Sequence, residues 1–179
     1  MMKAGRILAA LMFVVGVAGV VVNGAAIYSR FLYSSVLLAL TAWIWTRWVI
    51  RGLAFERVSR ELRANVGDVF EENFRLANRG RLPIPWVEIA NLTTLPFAAG
   101  SRLFTLVMGK QTRNYTARTW LTRRGSFQLG PTSITTGDPF GLFTASRQIA
   151  SKEALIVFPM IHEVHSFPSP RGMLTGGQV

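Results

Sequence analysis

Residues 7–50, ILAALMFVVGVAGVVVNGAAIYSRFLYSSVLLALTAWIWTRWVI, decide how the rest of the chain is read. Arg30 and Arg47 are the only charges in this stretch. No charge interrupts residues 7–22, and Asn23, Gly24 and Tyr28 extend the run toward Arg30, which gives about the twenty residues that cross a hydrocarbon core. Residues 7–28 are therefore expected to form a first spanning helix. A second is expected over residues 31–50, ending in Trp43, Trp45, Arg47 and Trp48. There aromatic rings would settle at headgroup level and the arginine would reach water along its own methylenes. These four residues make a candidate membrane anchor. Neither segment has a polar face, which argues against two buried helices of a soluble protein.

Cations beside each end set the expected orientation, because Lys and Arg are retained on the cytoplasmic side. Lys3 and Arg6 precede the first segment, Arg30 alone lies in the connection, and Arg47, Arg51, Arg57, Arg60 and Arg63 follow the second. Both termini and the downstream domain are thus expected in the cytoplasm. A cleaved signal peptide is the competing reading, with Lys3 and Arg6 as its basic end and Asn23-Gly24-Ala25 as its cleavage site. Even then the second segment would stop transfer and leave the domain cytoplasmic.

Composition agrees. Of 179 residues half are hydrophobic and 16% charged, against about 25% charged in soluble domains. The absence of cysteine rules out disulfides and thiolate chemistry and fits a reducing compartment. Four of the twenty Lys and Arg lie before residue 51, so sixteen cations face all nine acids in the remainder. A basic domain held near a membrane is drawn to anionic headgroups, at about 1 kcal/mol per cation.

Beyond Arg51 the apolar pattern turns to alternation. Phe70, Glu72, Phe74 and Leu76 interleave with Val69, Glu71, Asn73 and Arg75, and the pattern stops at Asn78-Arg79-Gly80, a turn signal. Further strands are expected at residues 86–90, 103–108, 115–122, 127–129, 134–136 and 155–158, separated by Gly, Pro and Asn. Short strands at about ten-residue spacing indicate an all-β, immunoglobulin-like sandwich over residues 53–160, following a helical membrane hairpin over residues 1–52. Residues 161–179 hold Pro168, Pro170, Gly172, Gly176 and Gly177 and too little apolar surface to order themselves, so they are expected to be a linker.

The segment Arg123-Arg124-Gly125-Ser126-Phe127-Gln128-Leu129-Gly130-Pro131, then Asp138-Pro139-Phe140-Gly141-Leu142-Phe143, then Val157-Phe158-Pro159, resembles the signature of a bacterial family known as domain of unknown function fifty-eight. Asn78-Arg79-Gly80, Pro83 and Trp86-Val87-Glu88 resemble its earlier strands. The resemblance covers essentially the whole chain and implies a bacterial inner-membrane location. It also implies an association with MoxR-type AAA+ ATPases and transglutaminase-like membrane proteins, and a following von Willebrand A-like domain opened by Arg-x-Tyr-x-Pro-Gly-Asp. That motif is not in this sequence, so a longer protein, with this as its N-terminal part, is expected. The family supplies no biochemical activity.

Individual motifs read mainly as structure. Asp138 can accept backbone N–H bonds, Pro139 presets φ, and Gly141 can take a positive φ, with Phe140, Leu142 and Phe143 turned into the core. A loop that presents this segment to a partner is the functional alternative. Arg123 and Arg124 are expected at a hairpin tip, as solvated charges or as a grip on lipid phosphate. His162-Glu163-Val164-His165 lacks the spacing of a zinc helix, and no catalytic or cofactor-binding constellation is expected. Two functions follow. The first is a non-enzymatic membrane scaffold working with its own further domain or a MoxR-type system. The second is a tethered polyanion-binding module for anionic lipid or nucleic acid.

Overall fold

The computed structural model describes residues 3–59 and 61–160. Two helices come first, α1 (Lys3–Asn23) and α2 (Ala26–Gly52). Among the described residues ten strands follow: β1 (Leu53–Ser59), β2 (Arg63–Asn65), β3 (Val69–Asn78), β4 (Ile84–Asn91), β5 (Arg102–Val107), β6 (Thr112–Trp120), β7 (Gly125–Gln128), β8 (Thr132–Gly137), β9 (Thr144–Ile149) and β10 (Ala154–Phe158). The segments Gly5–Asn23 and Ala26–Gly52 are long and apolar enough to cross a membrane, and little of either is buried inside the molecule.

The first helix ends five residues earlier than its hydropathy suggests. Gly24 takes φ +63°, the left-handed conformation that stops a helix, and hydropathy does not register it. Tyr28 and Arg30 therefore belong to α2, and the connection carries no cation. The two helices approach closely at small residues. A Cβ at Gly16 would press on the backbone of Leu32, and one at Gly19 would collide with the Tyr28 ring.

At 27 residues, α2 is about 40 Å long. Its last turns run straight into β1, with Leu53 already extended. Three sheets follow: β1-β3-β6, β5-β4-β8-β9 and β2-β10-β7. All pairs are antiparallel except β2 with β10. The first two sheets face each other across a core that includes Phe74, Leu76, Ile84, Val87, Ile89, Tyr115 and Ile134, which also takes Val49 and Leu53 from the helix junction. A second core of Phe70, Leu95, Leu121, Leu129, Leu155 and Val157 lies under β10 and β7. The chain is two apolar helices followed by a β-sandwich.

Seven strands coincide with the alternating segments of the sequence; β1, β2 and β9 do not. In β1 the apolar phase continues into Arg57 and Ser59. β9 reads Thr-Ala-Ser-Arg-Gln-Ile, an edge strand mostly facing water, and β2 spans three residues. The expected linker, residues 161–179, lies outside the described residues, as do His162, Glu163, His165 and Arg60.

Candidate functional site at the helix–sandwich junction

The sandwich has a near end, at the helices, and a far end. Register places them: Leu53 pairs with Asn78 and Ser59 with Glu72, while β3 against β6 runs from Ala77↔Thr112 at the near end to Val69↔Trp120 at the far end. The near end is tied to α2 by backbone. The Arg79 N–H donates to the Gly52 carbonyl at 2.8 Å. Asn78, buried at the turn, donates from Nδ2 to the carbonyls of Leu82 (2.9 Å) and Met108 (3.0 Å) and accepts the Gly80 N–H on Oδ1 at 3.0 Å. The Asn-Arg-Gly turn read from the sequence is thus the joint between helix and sandwich.

A second tie comes from the β8–β9 loop. Asp138 is 1% exposed; its Oδ2 accepts the N–H of Phe140 at 2.8 Å and of Leu142 at 3.1 Å, and its Oδ1 that of Phe143. Gly141, at φ +71°, closes the turn. The loop so held presents the Leu142 carbonyl to Arg6 Nε, 2.7 Å away. Gly5 of α1 lies so near that a Cβ there would come within 2.9 Å of the Phe140 carbonyl oxygen. The open end of the helix pair is therefore fastened to the sandwich on both sides, α2 by the β3–β4 turn and α1 by the Asp138 loop. Leu142 is buried as expected. Phe140 is not: it is 54% exposed, because the Asp138 bonds turn the loop outward at its apex.

Around this joint cations collect: Arg6, Arg47, Arg51, Arg79, Arg81 and Lys110. Arg47 lies over the Trp43 ring, 5.5 Å from its centroid, and Arg79 approaches Glu56 at 4.0 Å. Among the described residues Arg51, Arg81 and Lys110 enter no ion pair. Exposed Trp48 and Met108 sit among them. Of the four anchor residues, Trp43 and Trp48 face outward, whereas Trp45 packs against the main core. Helix periodicity sends the ring three residues before Trp48 and two after Trp43 inward, and composition does not show this.

Arg123 and Arg124 are exposed but stand elsewhere. They are not a hairpin tip: β6 belongs to one sheet and β7 to another, so they lie on a crossover at the far end. The nine residues of β6 separate them from the Asp138 loop by about 30 Å. The structure therefore does not bring the arginine pair and the Asp-Pro-Phe-Gly segment into one site. Among the described residues no cluster of three acidic or histidine groups suited to a metal ion occurs.

One constellation was not anticipated. Between the two apolar cores, Arg57 and Glu72 lie inside the sandwich, their side chains 7% and 1% exposed, with Arg57 Nη1 3.8 Å from Glu72 Oε1. Arg57 Nη2 donates to the Leu129 carbonyl and to Ser151 Oγ, and stands 3.6 Å from Glu153. Among the described residues neither oxygen of Glu72 finds a hydrogen-bond donor, and the buried Ser59 hydroxyl beside it is likewise unpartnered. Burial pushes the Glu72 carboxyl above the usual range, Arg57 pulls it back in part, and Glu153 adds to the rise. The signal was in the alternation itself: Glu72 shares its phase with Phe70, Phe74 and Leu76.

No protein-family model and no curated relative matches the chain. Among solved structures it is similar to the CARDB domain of a Pyrococcus furiosus protein in complex with di-metal ions, with a TM-score of 0.41, 13% identity, and coverage of 60% of this chain and 94% of that one. It is also similar to the complex of zinc glycoprotein and prolactin-inducible protein from human seminal plasma (TM-score 0.37, 6% identity, 59% and 93% covered). A third likeness is an alkylpurine DNA glycosylase of Pseudomonas fluorescens bound to DNA containing an abasic site analog (TM-score 0.31, 12% identity, 69% and 38% covered).

Proposed function

We propose that this chain is a membrane-anchored, non-enzymatic scaffold, in which two spanning helices hold an immunoglobulin-like sandwich on the cytoplasmic side of a bacterial inner membrane. The observation that carries this reading is the double fastening of the helix pair, through Gly52 to Arg79 and through Arg6 to Leu142. An anchor on a loose linker leaves its domain free to tumble, whereas two ties at one end fix orientation and aim the far end away from the bilayer. Sheets of three and four antiparallel strands across one core support the immunoglobulin-like description. The partner would be a MoxR-type AAA+ ATPase, with a transglutaminase-like membrane protein in the same system, as the family resemblance implies. A further C-terminal domain of the same protein is the other surface the far end would meet.

The absence of cysteine makes the test direct. A single cysteine placed at exposed Arg147 should be labelled in inverted membrane vesicles and protected in intact spheroplasts, and the chain should stay in the membrane after carbonate washing. A purified MoxR-type ATPase should then be retained by the reconstituted chain. Labelling from the outside would sink the sidedness, and no retention at micromolar ATPase would sink the partnership.

The alternative, a polyanion-binding module, is favoured by the cations gathered at the joint. Their place beside the apolar helices supports lipid over nucleic acid as the polyanion.

A further inference from the structure

We propose that the cleft between the last turn of α2 and the β3–β4 turn holds one anionic phospholipid, its phosphate between Arg51 and Arg81. This rests on the reading that α2 spans a membrane and deepens the lipid alternative by assigning a site. The cleft is about 480 Å³ and is lined by Trp48, Val49, Gly52, Leu82 and the two arginines. Its walls are largely apolar, and its only cations are two guanidiniums that form no ion pair among the described residues. That combination matches a molecule with a charged head and a hydrocarbon body, not a free phosphate, which gains nothing from Trp48 and Leu82.

Position selects the same occupant. Arg6 stands 17 residues from the end of α1, and the same distance from the start of α2 falls at Trp43, so both mark a level about 26 Å from the connecting turn. Trp48 and Arg51 stand about 33–38 Å from that turn, past a hydrocarbon core of about 30 Å and at the level of the headgroups. The carbonyl of Gly52, which would repel a phosphate at a helix C-terminus, is already taken by the Arg79 N–H. A guanidinium pair grips phosphate through paired N–H donors.

The test uses the full chain in phosphatidylcholine nanodiscs containing phosphatidylglycerol, with retained lipid read by native mass spectrometry. One phosphatidylglycerol should stay bound, phosphatidylcholine should not, and inorganic phosphate should not displace it. Arg51→Gln with Arg81→Gln should weaken retention about thirtyfold, each cation near a surface being worth about fivefold. Arg123→Gln with Arg124→Gln, at the far end, should leave it unchanged. If the glutamine pair unfolds the chain, Arg51→Lys with Arg81→Lys keeps the charge but loses the paired N–H donors, so it should hold the lipid more weakly than the wild type, and undiminished retention would overturn the guanidinium grip. Equal retention by the glutamine pair, or occupancy by phosphatidylcholine or phosphate, would overturn the site while leaving the span intact. Release of the wild-type chain by carbonate would instead overturn the spanning reading.

Discussion

Two carboxylates are buried to the same degree in this sandwich, and the chain treats them in opposite ways. Asp138 accepts three backbone N–H bonds within its own loop. Among the described residues Glu72 accepts none and faces a single guanidinium, at 3.8 Å. A buried charge is costly unless hydrogen bonds replace its water, so the first is a lock and the second a liability held in check. The lock lies in the loop that fastens α1. The liability lies between the two apolar cores, where it separates Phe70 from Phe74 and makes the sandwich two packed halves.

Removing the lock should have the largest effect. Asp138→Ala leaves three donors without acceptors at about 1–3 kcal/mol each, and with some relaxation of the loop the expected loss is about 4 kcal/mol. Chemical denaturation of the full chain in detergent micelles measures it. A loss below about 1 kcal/mol would mean that the loop holds its shape without the carboxylate. Asp138→Asn, which keeps acceptor oxygen on one side, should fall between.

Breaking the Glu72 pair comes next. Arg57→Met strips the countercharge that faces Glu72 among the described residues, and the expected loss at neutral pH is about 3 kcal/mol. Replacing both partners, Arg57→Met with Glu72→Leu, should recover most of it, because two apolar groups leave nothing to desolvate. A double variant as unstable as the single one would show that the Arg57 bonds to Leu129 and Ser151, not the ion pair, hold the region.

Acid probes the Glu72 carboxyl directly. The Glu72 carboxyl sits above its unfolded value near 4.5, so between those values the folded state binds more protons than the unfolded one. Stability therefore falls as pH rises through that window. Glu72→Gln has no such proton to lose. It should be more stable than the wild type at neutral pH, and the advantage should vanish as pH falls below about 4.5. Parallel pH profiles would show that Glu72 does not titrate in this range.

Asp138 was legible in the sequence because its function is local: an Asp, a Pro and a Gly at turn spacing specify their own bonds within six residues. The Asn78 turn was legible for the same reason, though its tie to Gly52 was not. Glu72 was half legible, since its phase among phenylalanines marks it as inward, but its partner was not. Arg57 lies at the end of a strand that the apolar helix pattern runs into, and nothing local says that β1 will pair with β3. The same non-locality hid the separation of Arg123 and Arg124 from the Asp138 loop, which depends on β6 and β7 entering different sheets. Helix ends failed where one residue's backbone, Gly24, overruled an apolar run of sixteen residues.

The smallest expected effect tests what the Asp138 lock is for. If the loop exists to fasten α1, its shape and its contact should come apart under different substitutions. Arg6→Gln removes one charged donor to the Leu142 carbonyl and should cost about 1 kcal/mol. It should leave the amides of Phe140, Leu142 and Phe143 protected from hydrogen exchange, because Asp138 still accepts all three. Asp138→Ala should expose those amides and loosen Arg6 as well. Protection lost equally in both variants would mean that the helix shapes the loop, and the direction of the fastening would have to be reversed: the anchor would then organise the sandwich, and Asp138 would only record the result.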